Sequence, residues 1–291
     1  MPIPPLPRLF ASLLAGPSAT APHAREQHGR RTDRYLLERV FVGLVMALSI
    51  AGFWNLYLGE RASPTPLHHL HALTSFAWLT LLLVQISLVA ANRNSQHRKL
   101  GMAVLFLGPL LVATTAMLSV HSAQRGLLSG EGDFLIVQNV MATLELALLI
   151  VFAFVLKKRS KLHGSFLLGT ALLFMGIALF FALTSFVPGF RIEGPDTFHR
   201  FETAVSAIRY VCLGVGVLFF VKDPRNGWPL LLAGASFFLN ELVGAYLTRN
   251  GLIEPLTEFV GSMNQPLTFV GGFVVLLALL AATGIRGARR V

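Results

Sequence analysis

Long apolar stretches separated by short polar breaks occupy most of the chain from about residue 38 onwards. A helix needs about 20 apolar residues to cross the hydrocarbon core of a bilayer, and each stretch is about that long. The pattern therefore predicts an all-α integral membrane protein, built as a bundle of about eight transmembrane helices. The predicted spans cover roughly residues 38–58, 68–91, 100–122, 133–156, 164–187, 203–221, 226–247 and 265–285.

Composition agrees with this fold class and divides the chain into three parts. The hydrophobic fraction is 54% and the charged fraction is 13%, whereas about a quarter of the residues of a soluble domain are charged. Residues 1–36, rich in Pro, Ala and Arg, are predicted to form a disordered cytoplasmic tail. Residues 37–187 are predicted to form a five-helix membrane core. Residues 188–291 add three further transmembrane helices with longer outer loops at 188–202 and 248–264.

The net charge of +10 is explained by membrane topology and does not require a nucleic-acid partner. In an eight-span arrangement, 18 of the 24 Lys and Arg residues fall on one side of the membrane and five on the other, with Arg209 inside a span. Loops rich in Lys and Arg stay in the cytoplasm. Both termini are therefore predicted to be cytoplasmic, and the partner that the basic residues indicate is the lipid bilayer.

Histidines lie at or near the ends of the apolar stretches and avoid their middles. Imidazole is the commonest protein ligand for transition metals, and it titrates near neutral pH. The predicted topology sorts these histidines into two groups, because His71 and His97 are roughly 39 Å apart at 1.5 Å per residue. The outer group comprises His68, His69, His71, His121 and His199, and the inner pair is His97 and His163.

Helix geometry narrows the choice of ligands within these groups. His68 and His71 are three residues apart and share a helix face, whereas His69 points about 100° away. A histidine at a membrane interface could also anchor a headgroup or cap a helix, and this alternative stays open for each of them. The candidate metal ligands are His68, His69, His71 and His121, and the candidate cofactor ligands are His71, His121, His97 and His163.

A motif runs from the start of the second predicted span into the third. It comprises an HLHA start, a Trp and a Gln on the same helix, and HRKLG opening the next helix, at positions His69, His71, Ala72, Trp78, Gln85, His97, Arg98, Leu100 and Gly101. Over about residues 35–187 the chain resembles a family of uncharacterised bacterial multi-pass membrane proteins with this motif. The resemblance implies a location in the bacterial inner membrane. A second motif of that family is present here only in reduced form around His163.

The layout of the histidines is also distantly similar to that of transmembrane b-type cytochromes of the ascorbate-linked kind. Such proteins hold haem between histidines of neighbouring helices. The similarity implies haem b as a candidate cofactor, with another transition metal or no cofactor as the alternatives. The fourth predicted span, 133–156, contains no histidine. A symmetric two-haem scheme with one ligand from each of four helices is therefore excluded.

Arg209, Glu241 and Glu145 are ionisable side chains well inside predicted spans, where charge is costly and a functional role is the first hypothesis. Arg209 and Glu241 lie at matched depth in the sixth and seventh spans, which predicts an ion pair that locks two helices together, with Asn240 as a further hydrogen-bonding neighbour. Glu145 lies near the middle of the fourth span without an obvious charged partner. It could relay protons, bind a cation or hydrogen-bond a neighbouring helix.

Three functions follow from these features, and the sequence leaves open whether the protein is an enzyme. The leading hypothesis is a haem- or metal-binding helical protein of the inner membrane, with electron transfer as its possible role. The second is a transporter or small-molecule-binding protein that uses Glu145 and the Arg209–Glu241 pair. The third is an accessory subunit that binds other membrane subunits through its outer loops.

Overall fold

The computed structural model describes residues 35–60, 62–130 and 132–288. Within these residues the chain forms eleven helices and no strand, and seven of the helices are long and apolar enough to cross a membrane. The predicted all-α multi-pass membrane fold is therefore confirmed. The predicted tail, residues 1–36, lies almost entirely outside the described residues.

Short segments connect the helices. A single turn of 3₁₀ helix, Pro195–Thr197, lies in one connection. In chain order the helices are α1 (Leu36–Gly52), α2 (Trp54–Tyr57), α3 (Pro66–Ala90), α4 (Asn94–Gly101), α5 (Val104–Ser129), α6 (Ile136–Val155), α7 (Ser160–Phe186), α8 (Arg200–Lys222), α9 (Trp228–Arg249), α10 (Ile253–Gly261) and α11 (Gln265–Ala288).

The first predicted span is present as two helices, α1 and α2, with the break at Phe53. α1 has 17 residues and is shorter than the seven spanning helices. It nevertheless packs against α7 and α3. Counted with the seven longer helices, α1 gives eight membrane helices, which agrees with the predicted number.

The structure differs from the predicted spans in the segment that carries HRKLG. This sequence was expected to open the third span, but it lies on a separate short helix, α4, and the spanning helix α5 begins only at Val104. The reason is composition, because seven of the eight residues of α4 are polar, charged or glycine and would be costly in hydrocarbon. The predicted outer loop 248–264 also contains a helix, α10.

α7 is the centre of the bundle and the most buried of the spanning helices. It packs against α1, α3, α6, α8 and α9, and its residues 166–173 are all buried. Trp78 of α3 is fully buried against α7 and donates its ring N–H to Thr170 Oγ1 at 2.8 Å. In hydrocarbon this donor has no water to bond, so the contact fixes how α3 faces α7.

Polar contacts between helix ends show which ends lie side by side. At one end of the bundle, Lys222 of α8 pairs with Glu38 of α1 at 2.7 Å. At the opposite end, the Gln124 amide of α5 donates to the carbonyl of Gly261, the last residue of α10, at 3.1 Å. We call the first the predicted inner end and the second the predicted outer end, after the distribution of Lys and Arg in the sequence.

Small residues allow α8 and α9 to pack closely. A Cβ atom at Gly234 of α9 would lie 2.5 Å from the carbonyl oxygen of Cys212, and one at Gly216 of α8 would lie 2.8 Å from that of Leu230. Membrane helices commonly use glycine in this way, since lipid offers little hydrophobic drive for association and close packing has to supply the attraction. Cys212 is buried in this crossing.

We expect Gly216→Ala to destabilise the protein by about 1–3 kcal/mol, because the added methyl group would force two backbones apart. Gly214→Ala on the same helix is the matched control, since nothing described lies within 4 Å of a Cβ atom there. Thermal unfolding of both variants in mild detergent measures the difference. Equal destabilisation by the two substitutions would contradict this account of the α8–α9 crossing.

Candidate functional site

His68 caps the start of α3 with its own side chain. Thr65 occupies the N-cap position, and its backbone N–H donates to His68 Nδ1 at 3.1 Å, with its hydroxyl 2.7 Å from the same atom. A neutral imidazole carries one proton, and a nitrogen that accepts a hydrogen bond does not hold it. The proton of neutral His68 therefore lies on Nε2, which makes Nε2 a donor and not a metal ligand.

The rings of His68 and His121 meet edge to face, with their centroids 5.4 Å apart. This direct contact leaves no space for a porphyrin between the two rings, so the pair does not fit bis-histidine haem ligation. Nε2 of His121 is buried and has no hydrogen-bond partner among the described residues. Arg125, four residues further along α5, lies close enough for its charge to act on both rings.

His71 belongs to a polar network between α3 and α5. Its Nδ1 lies 3.4 Å from Thr114 Oγ1, and its Nε2 lies 3.4 Å from Ser75 Oγ. Thr114 is itself 3.0 Å from the hydroxyl of Thr74. Both ring nitrogens of His71 are thus engaged with hydroxyl groups of the protein, which gives this embedded histidine a packing role.

The remaining outer histidines lie apart from this network. His69 is exposed and hydrogen-bonds the hydroxyl of Tyr57. His199 is exposed in the connection before α8, with Nδ1 3.0 Å from the carbonyl oxygen of Asp196. Within the described ranges, no group of three or more His, Cys, Asp or Glu side chains is placed to hold a metal ion.

At the predicted inner end, the buried amide of Gln85 joins α3 to α4. Its oxygen accepts the backbone N–H of Gly101 at 2.8 Å, and its nitrogen donates to the carbonyl of His97 at 3.2 Å and also contacts Nδ1 of that ring. Three residues of the sequence motif therefore form one cluster. The contact gives the motif a structural role, because it holds the polar helix α4 against the end of α3.

His163 lies beside this cluster, at the start of α7. Its Nδ1 donates to the carbonyl oxygen of Ala153 at 2.8 Å, across the turn between α6 and α7. The Nε2 lone pair of a neutral ring is then free, which is the arrangement typical of metal-binding histidines. Burial lowers the pKa of His97 below its usual range, and the neighbouring His163 lowers it further. The inner pair predicted from the sequence is therefore close in space.

The predicted ion pair between Arg209 of α8 and Glu241 of α9 is confirmed. Arg209 also donates to Ser206 Oγ at 2.7 Å, and its guanidinium lies 5.4 Å from the centroid of the Phe238 ring. The two partners differ in exposure, since the Arg209 side chain is 11% exposed and that of Glu241 is 49% exposed. The arginine is covered by protein, whereas the glutamate lies at the surface of the bundle.

Glu145 has polar neighbours that the sequence interpretation missed. Ser236 and Asn240 of α9 both interact with its carboxyl group. Asn240 was expected beside Glu241 but lies with Glu145, because adjacent helix positions point about 100° apart. The spacing of Ser236 and Asn240, four residues apart on one helix face, is the sequence signal that could have identified this polar face.

The fold and these contacts define a multi-pass helical membrane protein with polar groups at its core and histidines near both ends. Comparisons with protein-family models, curated proteins and solved structures find no match to the chain. The function is therefore inferred from the contacts within the chain.

We expect His97 to titrate with a midpoint below its ordinary value of 6.5. Replacing His163 by Gln, which can still donate to Ala153, removes a repelling positive charge, so the pKa of His97 should rise part of the way back. NMR titration of histidine-labelled protein in detergent measures both values, and His97→Gln assigns the signal. His199→Gln at the opposite end should leave the midpoint unchanged, and an equal shift in both variants would contradict the proximity of the inner pair.

Proposed function

We propose that the protein binds a polar small molecule or an ion within the membrane and transports it, with Glu145 as the central binding residue. One observation carries this proposal. On α6, α8 and α9, three buried side-chain atoms have no hydrogen-bond partner among the described residues: Glu145 Oε1, Asn240 Oδ1 and Arg209 Nε. A buried polar atom without a partner destabilises a fold by about 1–3 kcal/mol. This cost is removed when a bound ligand supplies the missing hydrogen-bond partners, which would explain why the fold retains such atoms.

The depth of these side chains supports a common site. Glu145 lies nine residues into α6, Arg209 nine residues into α8, and Glu241 eight residues before the end of α9. At 1.5 Å per residue, each is about 12–14 Å from the predicted outer end of its helix. Three neighbouring helices thus carry polar groups at one level of the membrane, where their charge and hydrogen-bonding capacity are costly unless they are used.

The chemistry of the side chains fits a protonatable binding site. A carboxyl group, a hydroxyl group and an amide can together coordinate a cation or hydrogen-bond a polar organic molecule. Glu145 can in addition exchange its proton for the ligand, which would couple binding to proton movement. The Arg209–Glu241 pair holds α8 to α9 beside this site and neutralises both charges.

The orientation of the protein and the membrane in which it lies belong to the same proposal. The unequal distribution of Lys and Arg, 18 on one side and five on the other, supports an orientation with both termini in the cytoplasm. The family resemblance of residues 35–187 supports the bacterial inner membrane as the location. Docking of other membrane subunits on the connections 188–202 and 248–264 stays a prediction.

Glu145→Gln is expected to abolish binding, because glutamine keeps the size of the side chain but cannot ionise. Thermal stability in detergent should be measured at two pH values against a panel of monovalent and divalent cations, amino acids and carboxylic acids. At least one compound should stabilise the unmodified protein in a pH-dependent manner and fail to stabilise the variant.

Glu258→Gln, which alters an exposed carboxylate of α10, is the matched control and should behave like the unmodified protein. Compounds that stabilise the protein should then be tested for uptake into proteoliposomes. Equal binding and uptake by the unmodified protein and Glu145→Gln would overturn the proposal.

A haem or transition-metal site is the second candidate, and the inner pair favours it more than the outer group does. His163 leaves Nε2 free while Nδ1 is held by a backbone carbonyl. His97 could be a second ligand only after its contact with the Gln85 side chain rearranges. At the outer group, His68 and His71 already use the nitrogens that a metal would need.

The absorption spectrum of protein purified in mild detergent tests this candidate. A bound haem should give a Soret band and a reduced α-band, and elemental analysis should detect bound Cu, Fe or Zn. Either signal should be lost in His163→Gln and kept in His121→Gln. A protein with neither haem bands nor stoichiometric metal would exclude this function and leave the transport proposal unaffected.

A further inference from the structure

We infer that His68, His121 and Arg125 form a binding site for a phosphate-like oxyanion at the predicted outer end of the bundle. The three side chains come from the first turn of α3 and the last turns of α5. They lie on different helices from Glu145 and its partners, so this site does not rest on the proposed function.

Three side chains that can donate hydrogen bonds lie together here. Neutral His68 holds its proton on Nε2, because Nδ1 accepts the backbone N–H of Thr65. His121, whose ring touches that of His68, has a buried Nε2 with no partner among the described residues. Arg125 adds a guanidinium with five N–H donors. The pair of rings and the guanidinium can therefore donate to one ligand from two helices.

The local charge favours an anion over a metal ion. The guanidinium of Arg125 is permanently positive, and it acts on both rings. His69 and His121 also act on the ring of His68, with the same sign of charge as Arg125. In the part of the chain that the structure describes, Arg125 takes part in none of the ion pairs. A metal cation would be repelled here, whereas an oxyanion would supply the missing counter-charge.

A phosphate group is the best match for these donors. It presents several acceptor oxygens around one centre, and charge-assisted hydrogen bonds to Arg and His are the strong kind. A phosphate group at a membrane surface can come from two sources. One is the headgroup of an anionic phospholipid, and the other is free phosphate or a phosphorylated small molecule. Arg125 is exposed beside the end of α5, so a ligand can reach it from either source.

Inorganic phosphate is the first probe. In detergent it should raise the melting temperature of the full chain in a saturable manner, and Arg125→Gln and His121→Gln should each weaken its apparent affinity about tenfold. Arg249→Gln, which removes an exposed arginine at the end of α9, is the matched control and should leave the affinity unchanged. Melting temperatures without phosphate show whether each variant folds, and Arg125→Lys should retain part of the affinity if charge is the main contribution.

Lipid is the second probe and separates the two sources. Nanodiscs that contain phosphatidylglycerol should stabilise the protein relative to nanodiscs of phosphatidylcholine alone if the ligand is a headgroup, and Arg125→Gln and His121→Gln should lose that stabilisation. A response to phosphate, to phosphatidylglycerol or to both, lost in these two variants, supports the site. No response to either probe, or a response that Arg249→Gln removes equally, overturns it. Binding of Zn²⁺ that requires His68 and His121 and is unchanged by Arg125→Gln also overturns it.

Discussion

The absence of water within the membrane is the constraint on which the rest of this structure depends. A buried donor or acceptor must find its partner inside the protein, because lipid offers none. The ring N–H of Trp78 donates to the hydroxyl of Thr170 across the α3–α7 contact. The hydroxyls of Thr74 and Thr114 hydrogen-bond across the α3–α5 contact, with their oxygens 3.0 Å apart. These bonds fix how the helices are rotated. Between α8 and α9, glycines such as Gly234 decide how closely the helices approach.

The same constraint assigns different chemistry to histidines that look alike in the sequence. The backbone N–H of Thr65 makes Nδ1 of His68 an acceptor and so leaves Nε2 as a donor. The carbonyl of Ala153 does the reverse for His163 and leaves Nε2 as a lone pair. A ring N–H can donate a hydrogen bond to an anion, whereas a ring nitrogen with a free lone pair can coordinate a metal ion. A histidine near a helix end is therefore not a metal ligand by residue type alone, since its first hydrogen bond selects what it can bind.

Hydropathy was sufficient to predict the fold class and the spanning segments, because each span must be long and apolar whatever its neighbours are. Matched depth was sufficient to predict the Arg209–Glu241 pair, which the structure confirms. Rotation about the helix axis was harder to predict. Asn240 turned out to face Glu145, and Gln85 turned out to bind His97 and Gly101, because these contacts depend on how two helices face each other. The break at Phe53 was not predicted either.

α9 links the two intramembrane polar contacts in a way that bears on the transport proposal. One face of this helix presents Ser236 and Asn240 to Glu145, and a neighbouring face presents Glu241 to Arg209. A helix moves as a rigid element, so a shift that brings Asn240 closer to a ligand at Glu145 also changes the distance between Glu241 and Arg209. Under the transport proposal, ligand binding at Glu145 would then be coupled to the strength of the Arg209–Glu241 pair. Such coupling is what a transporter requires of an ion pair placed beside its binding site, whereas a pair that only fastened two helices could lie at any depth.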